Sequence, residues 1–172
     1  MRAVGQTNGL VWSPDGANLI QIKTLARKGR GKLLVEGDIG HDFLVALETA
    51  VYLLQFNVDI DIEKYNLTIK VPFPIDGPSA ALPLFISMYS ALTKNAVNQS
   101  MALTGALSET GAVLAVGSII DKLRAVSRAN LEAIIFPLEN MVELPKHADT
   151  APWGNVVLSP IMRVQEAIVL AC

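Results

Sequence analysis

An α+β fold, a mixed β-sheet with helices packed on it, is what the sequence predicts, and three observations lead there. Short apolar runs of strand length alternate with longer runs whose apolar residues recur every three or four positions. Breaks rich in glycine and proline separate the two kinds. The 172 residues, 51% apolar and 17% charged, suffice for one domain, 1-172, burying roughly 70% of the surface its unfolded chain exposes. An average soluble domain is about 25% charged, so this surface is poor in charge, and part of it is expected to lie against another subunit.

Taken in order, residues 9–12 are an apolar strand closed by the turn Ser13-Pro14-Asp15-Gly16, and residues 18–26 alternate as a second strand. The loop Arg27-Lys28-Gly29-Arg30-Gly31 and the apolar run 32–36 complete an expected β-hairpin with a basic tip. Arg27, Lys28, Arg30 and Lys32 fall within six positions; charge at such a tip ordinarily serves solubility, and the alternative is an anion or polypeptide contact. Phe43, Leu44, Leu47, Val51 and Leu54 have helical spacing, which predicts a helix over 42–55 with His41 and Asp42 at its capping end. Residues 66–71 read as a strand. Pro72-Phe73-Pro74-Ile75-Asp76-Gly77-Pro78 is a rigid connection, and Pro78 suits the first turn of a helix reaching Thr93, with Leu82, Phe85, Ile86, Tyr89 and Leu92 inward.

Further strands are expected at 101–104, 112–116, 133–136 and 156–158, with a loop at 105–110. Helices are expected at 119–130 and 160–170, the last opening on Pro160.

Composition excludes several functions. Fourteen Lys and Arg against sixteen Asp and Glu give a pI near 5.6, without the positive field that holds nucleic acid. Cys172 is the single cysteine and His41 and His147 are the two histidines, so neither an intrachain disulfide nor a Cys- or His-based metal site is expected. A cytoplasmic, metal-free protein is the expectation. Mean hydropathy is +0.40, yet the longest uncharged apolar stretch, 77–93, contains Pro78, Ser79, Pro83, Ser87 and Ser90 and reads as a buried helix rather than a membrane span. Residues 1–18 have no apolar segment of signal-peptide length, so no export signal is expected.

Two residues are misplaced for purely structural roles. On the helix from Ile119, Asp121, Arg124 and Arg128 make the polar side, whereas Lys122 aligns with Ile119, Leu123 and Val126 on the apolar side. Desolvation disfavours a lysine's charged form, which makes a buried one a usable general base; the structural alternative is a stem packed on apolar neighbours with its head in water. Ser79 follows Gly77 and Pro78 at a helix start, where unpaired first-turn amides can face an oxyanion. Its structural alternative is a capping serine. The histidines lie in capping or loop contexts and suggest no Ser/His/Asp triad. A Ser/Lys pair requires no histidine, and its chemistry is acyl transfer.

These segments resemble the proteolytic domain of the Lon family of proteases over nearly the whole chain. The likeness lies in Gly9-Leu10-Val11-Trp12, Gly31-Lys32-Leu33, Asp76-Gly77-Pro78-Ser79-Ala80, Leu103-Thr104-Gly105 and Gly117-Ser118-Ile119-Ile120-Asp121-Lys122. It implies a Lon proteolytic-domain-like fold, Ser79 as nucleophile and Lys122 as its base. It also implies that Thr104 orients the lysine and that Asp76 and Gly77 support the serine. Four positions depart from the family pattern: Ala81 replaces a glycine, Ala106 a glutamate, Lys23 a commonly acidic residue, and the strand 67–71 lacks histidines often found there.

Lon proteins join this domain to an ATPase, and the resemblance implies hexameric rings. Gly29-Arg30-Gly31-Lys32 is followed by Leu33 and lacks the hydroxyl of a phosphate loop. No cofactor is therefore expected in this chain, with ATP entering only through an ATPase module elsewhere: either such a module was trimmed from a longer protein or this is an ATP-independent relative. The expected function is a serine endopeptidase acting through an acyl-enzyme on unfolded or flexible polypeptides, as a homo-oligomer, without nucleic acid or membrane. The alternatives are a catalytically weak Lon-like oligomerisation or binding module, and a small-molecule acyl hydrolase using the same pair.

Overall fold

A computed structural model describes residues 1–72, 74–145 and 151–172. In chain order its elements are β1 (Arg2–Ala3), β2 (Gln6–Ser13), β3 (Gly16–Lys28), β4 (Leu33–Glu36), α1 (His41–Asn57), β5 (Tyr65–Lys70), α2 (Ala81–Thr93), β6 (Val97–Asn98), β7 (Met101–Leu103), β8 (Ala106–Leu107), β9 (Val113–Leu114), α3 (Ile119–Arg128), β10 (Ala133–Pro137), β11 (Val157–Ile161) and α4 (Val164–Ala171). Short 3-10 turns occupy Ile62–Lys64, Pro78–Ala80 and Leu138–Glu143. His147, expected in a loop, and Phe73 of the proline-rich connection lie outside the described residues.

Seven strands form one sheet in the order β11-β10-β7-β2-β3-β5-β4. Pairing is parallel from β11 through β2, antiparallel from β2 to β3 and β3 to β5, and parallel again from β5 to β4. This is the mixed sheet the sequence predicts. Alternation along the strands sends side chains to two faces. Met101, Leu103, Ala133 and Ile135 join the core containing α1 and α2, while Ala102, Ile134 and Phe136 join the core built on α3. Helix α2 is buried at Ala81–Met88 and again at Ser90, Ala91 and Leu92, more completely than the expected stripe, and Tyr89 is half-buried. No helix among the described residues is long and apolar enough to cross a membrane.

Four local expectations are corrected. The basic loop does not close a hairpin, because β5 lies between β3 and β4 and pairs with both. Asn66 of β5 holds the loop, its Oδ1 accepting from the amides of Arg30 (2.9 Å) and Lys32 (3.1 Å). Pro160 belongs to β11 rather than to a helix start; β11 is an edge strand paired only to β10, where a missing N–H is tolerated. Helix α4 begins at Val164, with Glu166 Oε1 accepting from the amides of Met162 and Arg163. The strand expected over 112–116 shortens to β9, which pairs with β8 inside the expected loop.

The fourth correction concerns α1. Neither His41 nor Asp42 caps it; Gly40 is its N-cap, without a side-chain bond. Asp76 instead accepts from Phe43 N at 3.0 Å. Leu44, expected inward, is 42% exposed.

Candidate active site

Strand β7 ends where three elements meet. The alternation that sends Ala102 toward α3 and Leu103 toward α2 continues past the strand, so Thr104 and Gly105 serve opposite faces of the sheet. Thr104 is fully buried, its N–H donates to Ile135 O of β10 (3.0 Å), and its Oγ1 accepts from Lys122 Nζ at 3.2 Å. Gly105 points the other way: its N–H donates to Ser79 O (3.1 Å) and its carbonyl accepts from Leu82 N (3.0 Å). One dipeptide thus binds the lysine through a side chain and the serine's segment through its backbone.

Lys122 is 2% exposed, so its head does not reach bulk water. Burial, the one cause of the shift, lowers its pKa from the ordinary 10.5 to about 8. A sizeable fraction of the amine is then neutral, and able to accept a proton, at mildly alkaline pH. Helix α3 carries it inward because Ile119, Lys122, Leu123 and Val126 share the buried side.

Ser79 sits, half-buried, in the 3-10 turn Pro78–Ala80 that leads into α2. Pro83 explains why the turn is not α-helical. It has no N–H to give the carbonyl four residues back, and its ring crowds that carbonyl; Ser79 O turns to Gly105 instead. The amides of Ser79 and Ala80 begin the turn and have no partner four residues back. Gly77, at φ +115 and ψ 148, occupies a conformation open essentially to glycine alone. Among the described residues no hydrogen bond joins Ser79 Oγ to Lys122 Nζ.

Asp76 is exposed and its Oδ1 accepts from backbone amides. The amide of Phe43 and then that of Gly77 hold its carboxyl below the usual carboxylate range, with a smaller contribution from His41. It thereby ties the start of α1 to the residues ahead of Ser79. Of the four departures, Ala81 is buried at the first position of α2, Ala106 pairs with Leu114 across β8 and β9, and Lys23 is exposed on β3. Leu67 and Ile69 lie in the main core.

Sequence reading missed Gly105 and Pro83. The signals were available in the Thr104-Gly105 pair and in a proline four residues beyond Ser79.

The fold is of the α+β class with a mixed sheet, and comparison with known proteins identifies it: the model of the Lon protease (S16) C-terminal proteolytic domain matches residues 1–171. The chain belongs to that family. The Lon protease of Escherichia coli (strain K12) is 30% identical over 177 residues, covering 98% of this chain and 22% of the relative. That of Cytophaga hutchinsonii is 34% identical over 149 residues, 81% of this chain and 18% of the relative. Lon protease 2 of Syntrophobacter fumaroxidans is 36% identical over 152 residues, 81% and 19%. The chain spans about a fifth of the length of these curated relatives.

Proposed function

We propose that residues 1–172 act as one proteolytic domain, a serine endopeptidase in which Ser79 is the nucleophile and Lys122 the general base. The observation that carries this is the buried lysine, bonded to Thr104, whose neighbour Gly105 is bonded to the carbonyl of Ser79. Neutral Lys122 takes the Ser79 hydroxyl proton as Oγ attacks the peptide carbonyl carbon. Negative charge builds on the carbonyl oxygen, and the first-turn amides of Ser79 and Ala80 are proposed to receive it. The C–N bond breaks, and the lysine ammonium returns its proton to the leaving amine. Water then attacks the acyl-serine ester, Lys122 again taking the proton and giving it back to Oγ. Thr104 orients the amine throughout; Asp76 and Gly77 shape the approach to Ser79.

Unfolded or flexible polypeptides are the proposed substrates. The chain works as a homo-oligomer, in the manner of a hexameric ring, in the cytoplasm and with no cofactor of its own; ATP acts only through an ATPase module elsewhere.

Hydrolysis of a library of short unstructured peptides without ATP tests the reading. Wild type is expected to cleave, and both Ser79→Ala and Lys122→Ala to fall to background while remaining folded. A folded wild type that leaves every peptide intact would return the choice to a binding module.

A further inference from the structure

We propose that Asn140 is a positioning residue for Lys122: by clamping the backbone of Val116 it sets where helix α3 begins, and so where the lysine amine stands relative to Thr104. The inference rests on the reading of Lys122 as the general base.

Asn140 lies in the 3-10 turn Leu138–Glu143 that follows β10 and is 1% exposed. Its Oδ1 accepts from Val116 N at 3.0 Å and its Nδ2 donates to Val116 O at 2.8 Å, so one side-chain amide satisfies both backbone groups of a buried residue. Nδ2 also donates to Glu143 Oε1, which fixes the amide's orientation. A third bond comes from Glu139, whose Oε2 accepts from Ala115 N at 3.1 Å.

These bonds matter because the residues between Val116 and α3 do not hold themselves in place. Gly117 is exposed, and a Cβ placed there would meet nothing within 4 Å. Ser118 enters α3 at φ +56 without a side-chain cap, a left-handed conformation that is unfavourable for a residue with a Cβ. A glycine followed by a strained, uncapped residue does not fix the direction of a helix by itself; Val116 is the last clamped point before it. Thr104 takes its reference from the same strand, since its N–H donates to Ile135 of β10. Both partners of the Lys122–Thr104 bond are therefore set against β10, Thr104 through the ladder and Lys122 through Asn140.

A purely structural Asn140 would lower stability when removed and leave the lysine's environment alone. The two roles separate in the titration of Lys122, followed by the 13Cε signal in protein labelled at lysine, together with kcat and KM on a short peptide. Burial alone lowers the lysine's pKa, and no carboxylate or cation contributes, so a displaced and hydrated amine titrates higher. In Asn140→Ala the midpoint is expected to rise by about one pH unit or more. kcat is expected to fall about 100-fold, with KM within about twofold. Glu139→Ala is expected to move both readouts the same way but less, and Glu139→Gln, which keeps the acceptor, to restore them. Loss of a negative charge by itself would move the midpoint down.

A folded Asn140→Ala with the wild-type midpoint and kcat overturns the proposal. If that variant does not fold, Glu139→Ala at its exposed position decides, and an unchanged midpoint there overturns it as well. Should the wild type cleave no peptide, the general-base reading fails on its own; the Lys122 midpoints, measured without turnover, still support or overturn the positioning role.

Discussion

At Lys122 burial and protonation oppose each other, and the two pKa values fix the sign of the effect on stability. The folded pKa, about 8, lies below the ordinary 10.5; between these values the unfolded chain holds the proton and the folded chain has released it. Stability therefore rises as pH climbs through that window, by roughly 3 kcal/mol in the limit, and below pH 8 the full cost of a buried ammonium remains. Lys122→Met conserves the apolar stem and removes the charge. It is expected to resist urea better than wild type at pH 7, with the gap closing by about pH 10.5; a gap independent of pH would show that burial does not set the pKa. The same lysine predicts a peptidase rate that rises with pH around 8. Thr104→Val removes the hydroxyl that Nζ meets at 3.2 Å and, with Lys122 as the proposed base, is expected to lower kcat about tenfold or more with little change in KM, since misalignment of that base lowers rate more than affinity.

The elements hold these side chains through backbone contacts more than through the side chains themselves. Gly105 bonds Ser79 and Leu82 in a crowded place; a Cβ built there would stand 2.9 Å from Val113 Cγ1 and 3.2 Å from Leu82 Cδ2. Gly105→Ala is expected to cost about 1–3 kcal/mol in urea unfolding and to abolish peptide cleavage, because the strain falls on the residue next to Thr104. Pro83→Ala tests the opposite case. It gives α2 an N–H that can bond Ser79 O in competition with Gly105, so helix content is expected to be kept or raised while peptide turnover falls severalfold.

The contrast marks what the sequence made legible. Lys122 was identifiable because helix periodicity reports burial directly, and Ser79 because Gly77 and Pro78 announce a helix start. The partner of β4 was not identifiable: the runs 33–36 and 65–70 look alike locally, and the choice between a hairpin and an inserted β5 is made by the long-range ladders that pair β5 with both β3 and β4, with Asn66 bonding the intervening loop. Pro160 misled for a similar reason. A proline opens a helix or sits on an edge strand with equal local ease, and only the pairing of β11 to a single neighbour decides. Asp76 capping α1 from more than thirty residues away is a tertiary substitution for a local cap, which no window of sequence contains.

For the whole molecule the open question is what covers its apolar surface. With only 17% of residues charged, helix α1 turns Leu44, Val45, Tyr52 and Phe56 outward, Phe56 being 69% exposed. Tyr52 and Phe56 meet edge to face with centroids 5.2 Å apart, a preformed aromatic surface of the kind that anchors protein contacts. The proposed homo-oligomer gives this face a role. Phe56→Glu places a charge on it without entering the core, so the monomer is expected to keep its Tm within a few degrees while the assembly loosens. Sedimentation velocity at several concentrations checks this: wild type is expected well above the 18.5 kDa of one chain, and Phe56→Glu shifted toward it. An unchanged distribution in the variant would remove α1 from the interface, and a wild type sedimenting as single chains at every concentration would remove the oligomer itself. If short peptides are cleaved equally by both forms, each chain carries a complete site and assembly serves to exclude folded substrates. Loss of cleavage on dissociation would instead mean that assembly holds the segment around Ser79 in its working shape.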